Sequence, residues 1–133
     1  MDPTPLKDVP LFGELSRHEL ERIANWADEI DVPEGTHLLD EGRFPHEFFV
    51  ILDGTVDVVH DSDTLASLGR GDFLGEIAIV EGLRRTATVV AATPVRAAVM
   101  HEREFREMCH ELPVVEGRIR DAIRERLRPS TGS

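Results

Sequence analysis

Between residues 29 and 100 the apolar side chains come in short runs, and every run is closed by residues that turn the chain. Ile30 and Val32 alternate with acids before Pro33-Glu34-Gly35. A run over 36–40 stops at Glu41-Gly42, and a loop over 43–46 follows. The run over 47–52 stops at Asp53-Gly54, the run over 55–60 at Asp61-Ser62-Asp63, and the run over 64–68 at Gly69-Arg70-Gly71-Asp72. Thr93-Pro94 precedes the last run, 95–100. A parallel strand pair needs a crossover of a dozen or more residues, and this spacing leaves no room for one. Alternation at period two, as in Val56 and Val58 against Thr55 and Asp57, marks half-buried strands. The class is therefore mainly β, a sandwich or barrel of short antiparallel strands. Phe48 to Leu52 is apolar without a break, which predicts a strand covered on both faces and hence central.

Helical signals are confined to the two ends. Residues 1–10 carry three prolines and read as an irregular arm. Ser16-Arg17-His18-Glu19 is a capping box, and Leu20, Ile23, Ala24 and Ala27 follow at helical spacing, so a helix is predicted over 16–28. Leu11 and Phe12 could pack beneath its start. Residues 101–111 read as a helix with Phe105 and Met108 inward. Pro113 opens another, with Val115, Ile119, Ala122, Ile123 and Leu127 in an apolar stripe. That stripe must pack on something, either the mouth of the barrel or the same helix of a second chain. The five arginines from Arg118 to Arg128, with Glu102-Arg103-Glu104, read as a solvated face. Residues 129–133 read as a frayed tail. Helices only at the ends make a jelly roll the best fit.

The 133 residues suffice for one domain with a real core, and nothing divides them. A net charge of -11 excludes DNA or RNA as a direct partner and disfavours anionic membrane surfaces. Any anion site must be made positive locally, which adjacent Arg84 and Arg85 can do. Cys109 is the single cysteine, so no intrachain disulfide forms; it reads as a small buried or half-buried residue without an activating base. The six histidines are scattered and no ligand spacing for a metal stands out. No serine–histidine–acid arrangement or close carboxylate pair argues for catalysis. No signal peptide or membrane-spanning run is read, so a cytoplasmic location is expected.

The stretch 73–89 carries the chemistry. Gly75, lacking a Cβ, lets backbone approach a ligand. Glu76 to Val80 reads as a short helical turn ended by Gly82, and Arg85 opens the alternating run Thr86-Ala87-Thr88-Val89. Unpaired N–H groups at a helix start and an arginine fork both suit phosphate oxygens. Glu76 would repel a phosphate, but fits an anion that also offers a hydroxyl for a carboxylate to accept. A phosphate fused to a sugar has both. The plain alternative is that Glu76 and Arg85 form a structural ion pair.

Gly-Glu followed by Arg-Thr-Ala-Thr resembles the phosphate-binding cassette of cyclic nucleotide-binding domains, the family of the catabolite activator protein and protein kinase A regulatory subunit type. The resemblance covers nearly the whole chain: Gly35, Gly42, Gly54, Gly71, Gly75 and Gly82 fall at the family's glycine-marked turns, and Phe48 to Val56 is similar to its third and fourth strands. It implies an eight-stranded jelly roll (double-stranded β-helix) with one N-terminal helix and two C-terminal helices. It further implies that Glu76 accepts the ribose 2′-hydroxyl, that Arg85 pairs with the cyclic phosphate, and that the N–H groups of Ile77 and Ala78 point at that phosphate. Gly75 belongs to the same cassette. Thr86 would lie near phosphate and base, and Val56 and Leu65 would line the base side of the barrel.

The resulting expectation is a single stand-alone domain over 1–133, with the arm at 1–10, a helix at 16–28, the jelly roll at 29–100 with its cassette at 73–89, and C-terminal helices at 101–128. It would be a non-enzymatic sensor of a cyclic nucleotide, cAMP ahead of cGMP, needing no cofactor or metal. It would relay occupancy to an effector protein through the last helix, acting as a lid or as a homodimer contact. Few residues follow that helix, so no helix-turn-helix module is expected. The helix carries no aromatic residue, so an arginine or an aliphatic side chain would have to cover the base. The rival expectation is a degenerate domain that binds no nucleotide and serves as an interaction or dimerisation module.

Overall fold

The computed structural model describes residues 1–43, 46–82, 85 and 87–127. Strand β3 (Glu47–Asp53) divides the molecule. Phe48 to Leu52 are all buried. Side chains alternate along a strand, so Phe48, Val50 and Leu52 enter one apolar cluster while Phe49 and Ile51 enter another. This is why the run has no polar alternation.

Two antiparallel sheets of four strands surround the second cluster. One contains β1 (Asp28–Val32), β8 (Val95–His101), β3 and β6 (Phe73–Leu74), in that spatial order. The other contains β2 (His37–Leu39), β7 (Thr88–Ala91), β4 (Val56–His60) and β5 (Asp63–Leu68). The eight strands and terminal helices are those expected of the jelly roll. Asp61 and Ser62 both sit at positive φ, as a tight β4–β5 hairpin requires.

The helices cover the outer face of the first sheet. Helix α1 (Arg17–Trp26) begins with the predicted capping box: Glu19 N–H donates to Ser16 Oγ at 3.1 Å and Ser16 N–H to Glu19 Oε1 at 2.9 Å. Helix α2 (Glu76–Glu81) is the short turn of the cassette. Helices α3 (Glu102–Glu111) and α4 (Pro113–Leu127) close the fold. Phe105 and Met108 face inward as predicted, and Phe105 packs on Phe48 with ring centres 4.7 Å apart. Val115, Ile119 and Ile123 are buried in the same cluster, so these three residues of the α4 stripe are covered within one chain.

Four local expectations need correction. The arm is not irregular: Thr4–Asp8 and Pro10–Phe12 are 3₁₀ turns, with Leu6, Val9, Leu11 and Phe12 in the helix-side core. Pro5 and Pro10 stand in the first residues of these turns, where a missing N–H does no harm. Helix α1 stops at Trp26 because Asp28 already pairs with Val99 in the sheet. Strand β7 starts at Thr88 because Arg85 is held elsewhere, its N–H donating to the Arg43 carbonyl and its carbonyl accepting from Gly42 N–H, both at 2.8 Å. The arginines of α4 are not uniformly solvated. Arg118 donates to the carbonyls of Leu11 and Gly13 at 2.9 and 2.8 Å, tying α4 to the N-terminal turns. The tail 129–133 lies outside the described residues, as does the Leu127 side chain.

Candidate ligand-binding site

β6 is only a two-residue strand, pairing Leu74 with Phe49 and Phe73 with Val50. Gly75 then takes φ +96°, which turns the chain directly into α2. A Cβ at Gly75 would lie 2.6 Å from the Glu47 carbonyl oxygen and 3.2 Å from Arg85 Nη1. The glycine is therefore required both by its backbone angle and by what passes beside it.

Arg85 fills that space. Its guanidinium donates to the Gly75 carbonyl and to the Glu47 carbonyl, each at 2.6 Å, and the residue is 6% exposed. Burial pulls its pKa below the ordinary arginine value, while Glu47, Glu76 and Glu102 oppose the shift. A guanidinium has five N–H donors, and these two bonds use two of them. Glu76 opens α2 and is 0% exposed. Its Oε1 accepts from Arg126 of α4, while Oε2 is buried without a hydrogen-bond partner. Burial pushes the Glu76 carboxyl above the ordinary range; the charges of Arg126 and Arg85 pull it back. Glu76 and Arg85 thus do not satisfy each other as a closed ion pair. The N–H groups in the first turn of a helix have no intrahelical acceptor, and Ile77 and Ala78 hold those positions here.

These groups border a cavity of about 380 Å³ between the second sheet and the cassette. Gly75, Glu76, Ile77, Ala78 and Arg85 all line it, so the structure brings together five of the residues singled out from sequence. Val56 and Leu65 do not line it. Val56 is wholly buried deeper in the barrel. Leu65 is 62% exposed, at a bulge where Val58 pairs with Ala66 and Val59 with Thr64. The apolar wall is instead made by Leu39, Val58, Ala66, Leu68 and Val89. Val58 could have been found by stepping two residues along the strand face of Val56, whereas Leu68 lies on the face opposite Leu65. Thr86 and Arg84 lie outside the described residues.

Arg126 was missed as an individual residue. It lines the cavity, pairs with Glu76, donates to the Phe73 carbonyl at 2.6 Å, and lies over the Phe73 ring. The lack of an aromatic in the last helix left an arginine or an aliphatic residue for that place, and did not single out Arg126. Among the described residues, one His–acid cluster has atoms close enough to share a cation: Glu41, His60 and Asp61, all exposed and none lining the cavity. His60 Nδ1 is 2.7 Å from Glu41 Oε1, so these two side chains already contact each other on the surface. Cys109 is half-buried and its thiol is pushed up to about 11, which leaves it unreactive near neutrality. Among the described residues, no helix is long and apolar enough to cross a membrane.

The molecule is a two-sheet β-roll whose glycine–glutamate turn and buried arginine border a cavity. The family model for the cyclic nucleotide-binding domain matches residues 29–111. The chain belongs to the cyclic nucleotide-binding domain family, whose members are regulatory ligand-binding domains. It is 30% identical over 105 residues to a cAMP-dependent protein kinase regulatory subunit of Yarrowia lipolytica, covering 77% of this chain and 28% of that protein. It is 32% identical over 118 residues to a cyclic nucleotide-gated potassium channel of Mesorhizobium japonicum, covering 89% of this chain and 33% of the channel. The chain thus spans about a third or less of these curated relatives. Among solved structures, the regulatory subunit of a cAMP-independent protein kinase A from Trypanosoma brucei superposes with a TM-score of 0.81 at 27% identity, over 90% of this chain and 43% of that one. Its counterpart from Trypanosoma cruzi, bound to guanosine, gives 0.77 at 27% identity, over 90% and 44%. The catabolite activator protein of Thermus thermophilus shares the fold, with a TM-score of 0.80 at 23% identity over 90% and 58%.

Proposed function

We propose that this chain binds a cyclic nucleotide, cAMP ahead of cGMP, as a non-enzymatic sensor, and passes occupancy to an effector protein through α4. The observation that carries this reading is Glu76: a fully buried carboxylate on the cavity wall with one oxygen unpartnered. An unsatisfied buried acceptor is expensive, and a ligand hydroxyl would satisfy it. Arg85 and the first-turn N–H groups of α2 supply the anion-binding half on the same wall. In this reading Glu76 accepts the ribose 2′-hydroxyl, Arg85 and the N–H groups of Ile77 and Ala78 take the cyclic phosphate, and Val58, Ala66 and Leu68 face the base. Thr86, next to Arg85 in sequence, is proposed to favour cGMP through its hydroxyl.

The test is calorimetric titration of nucleotide-stripped protein with cAMP, cGMP and guanosine. Saturable cAMP binding that Arg85→Ala weakens by a few kcal/mol, the usual loss on truncating one partner of a desolvated charge contact, supports the assignment. Wild-type affinity in Arg85→Ala would sink it. Binding of guanosine alone would transfer the site to nucleosides, as in the trypanosomal relative whose structure holds guanosine. No binding at all would favour an interaction module.

A further inference from the structure

The walls of the cavity divide by chemistry. Among the described residues its charged lining groups are Glu76 and Arg85 of the cassette and Arg126 of α4, and the first two are buried. Every lining residue contributed by the second sheet is aliphatic: Leu39, Val58, Ala66, Leu68 and Val89. None of these side chains carries a hydrogen-bond donor or acceptor. The backbone at the middle of this wall is committed to the sheet, since Val58 pairs with Val89 on one side of β4 and with Ala66 on the other. Val58 and Leu68 are half-buried and Ala66 is exposed, so this wall reaches solvent.

We infer that the chain recognises the sugar and phosphate of its ligand and is indifferent to the hydrogen-bonding edge of the base. The ligand class is then the cyclic ribonucleotides as a whole, pyrimidines included, graded by the apolar area of the base. The inference rests on the cyclic-nucleotide reading above and widens its ligand beyond cAMP and cGMP.

A site separates two bases strongly when its buried polar groups pair with one edge and are left unpaired by the other. The sheet wall has no such side chains to leave unpaired. An apolar wall senses area and shape, and it discriminates weakly between similar groups. Its solvent-facing end also lets a base keep its polar edge in water, so no base loses hydrogen bonds that it cannot replace. Arg126, the charged lining group outside the cassette, already donates to Glu76 and to the Phe73 carbonyl. Thr86, proposed above to act on guanine, sets cGMP apart from this comparison. Adenine, cytosine and uracil meet the aliphatic wall alone.

The experiment titrates the nucleotide-stripped full chain with cAMP, with the cyclic purine ribonucleotide that lacks the exocyclic amine, with cCMP and with cUMP. It uses wild type and Leu68→Ala. Removing the amine should change affinity by less than about threefold, where an amine paired with a protein acceptor would be worth about tenfold. Cytosine and uracil carry opposite donors and acceptors, yet cCMP and cUMP should agree within about threefold and lie about ten- to hundredfold below cAMP, the order expected for lost apolar contact. Leu68→Ala should weaken all of them and leave their order intact. A loss above about thirtyfold on removing the amine, or a gap of that size between cCMP and cUMP, overturns the inference while cAMP binding stands. Failure of both pyrimidine nucleotides to bind also overturns it. So do unchanged affinities in a folded Leu68→Ala chain, because the base would then lie elsewhere. If cAMP itself does not bind, the cyclic-nucleotide reading fails and this inference falls with it.

Discussion

The apolar regions on the two sides of β3 are filled by different kinds of residue. On the helix side lie Phe12, Phe48, Phe105, Ile23, Met108 and Ile119, drawn from both ends of the chain. Between the sheets the residues are smaller, with Val56, Val89, Ala91, Val95 and Ala97 prominent. Bulky, flexible and aromatic side chains fill the first region. In the second, Leu74 and Val89 also line the cavity. A shared strand thus separates a core filled from the helices from one that borders a cavity.

Substitutions should therefore divide by side. The largest effect expected is on stability from the helix side: Phe105→Ala, losing the contact with Phe48, should cost about 3–5 kcal/mol in urea unfolding followed by circular dichroism. A loss below about 1 kcal/mol would mean that the helix side is not the main core. Next comes Gly75→Ala, on the cavity side. Its methyl would crowd the Glu47 carbonyl and Arg85 Nη1, so cAMP affinity should fall more than tenfold, with a stability loss of about 1–3 kcal/mol from the disfavoured φ. Unaltered affinity would show that Arg85 need not be held where it is.

A smaller effect concerns pH. Burial raises the Glu76 carboxyl above the ordinary value of 4.5, so the folded chain binds this proton more readily than the unfolded chain. Stability measured against Glu76→Gln should then be greatest below 4.5 and decline as pH rises through the folded-state value. Thermal melts of the two proteins across that range check the sign; a rising difference would mean that Arg126 and Arg85 outweigh burial. The smallest effect separates adjacent residues of β5. Leu65→Ser, on the solvent side, should change stability by no more than about 0.5 kcal/mol and leave cAMP affinity alone. Ala66→Leu, projecting into the cavity, should weaken binding with little change in unfolding.

The strand order of events was legible because turn residues interrupt the chain at regular intervals, and the helix starts because Ser16 and Pro113 are strong local signals. The cassette was legible because Gly75, Glu76, Ile77, Ala78 and Arg85 are close in sequence and each type has a chemical reason to be there. What local reading missed was long-range. The 3₁₀ turns of residues 4–12 exist because Leu6, Val9, Leu11 and Phe12 have a core to enter, and prolines alone suggested a loose arm. Leu65 was placed in the wall by family position, whereas the β-bulge and the alternation of β5 turn it outward. Arg126 resembled its neighbours on a charged helix. Only the docking of α4 distinguishes it from Arg124, which remains exposed and pairs within its own helix.

β3 has a consequence for how freely this chain can vary. A strand with one wet face offers every second position to drift, and β5, exposed at Asp63 through Ser67, offers nearly all of them. Phe48 to Leu52 offers none, since odd and even positions serve separate cores. A saturation library scored for folded protein should show an unbroken block of intolerance over 48–52 and almost none over 63–67. Hydrophobic replacements at Phe49 and Ile51 would be judged by the packing between the sheets and those at Phe48 and Val50 by the helices, so a double substitution within either pair should compensate more readily than one that spans both cores.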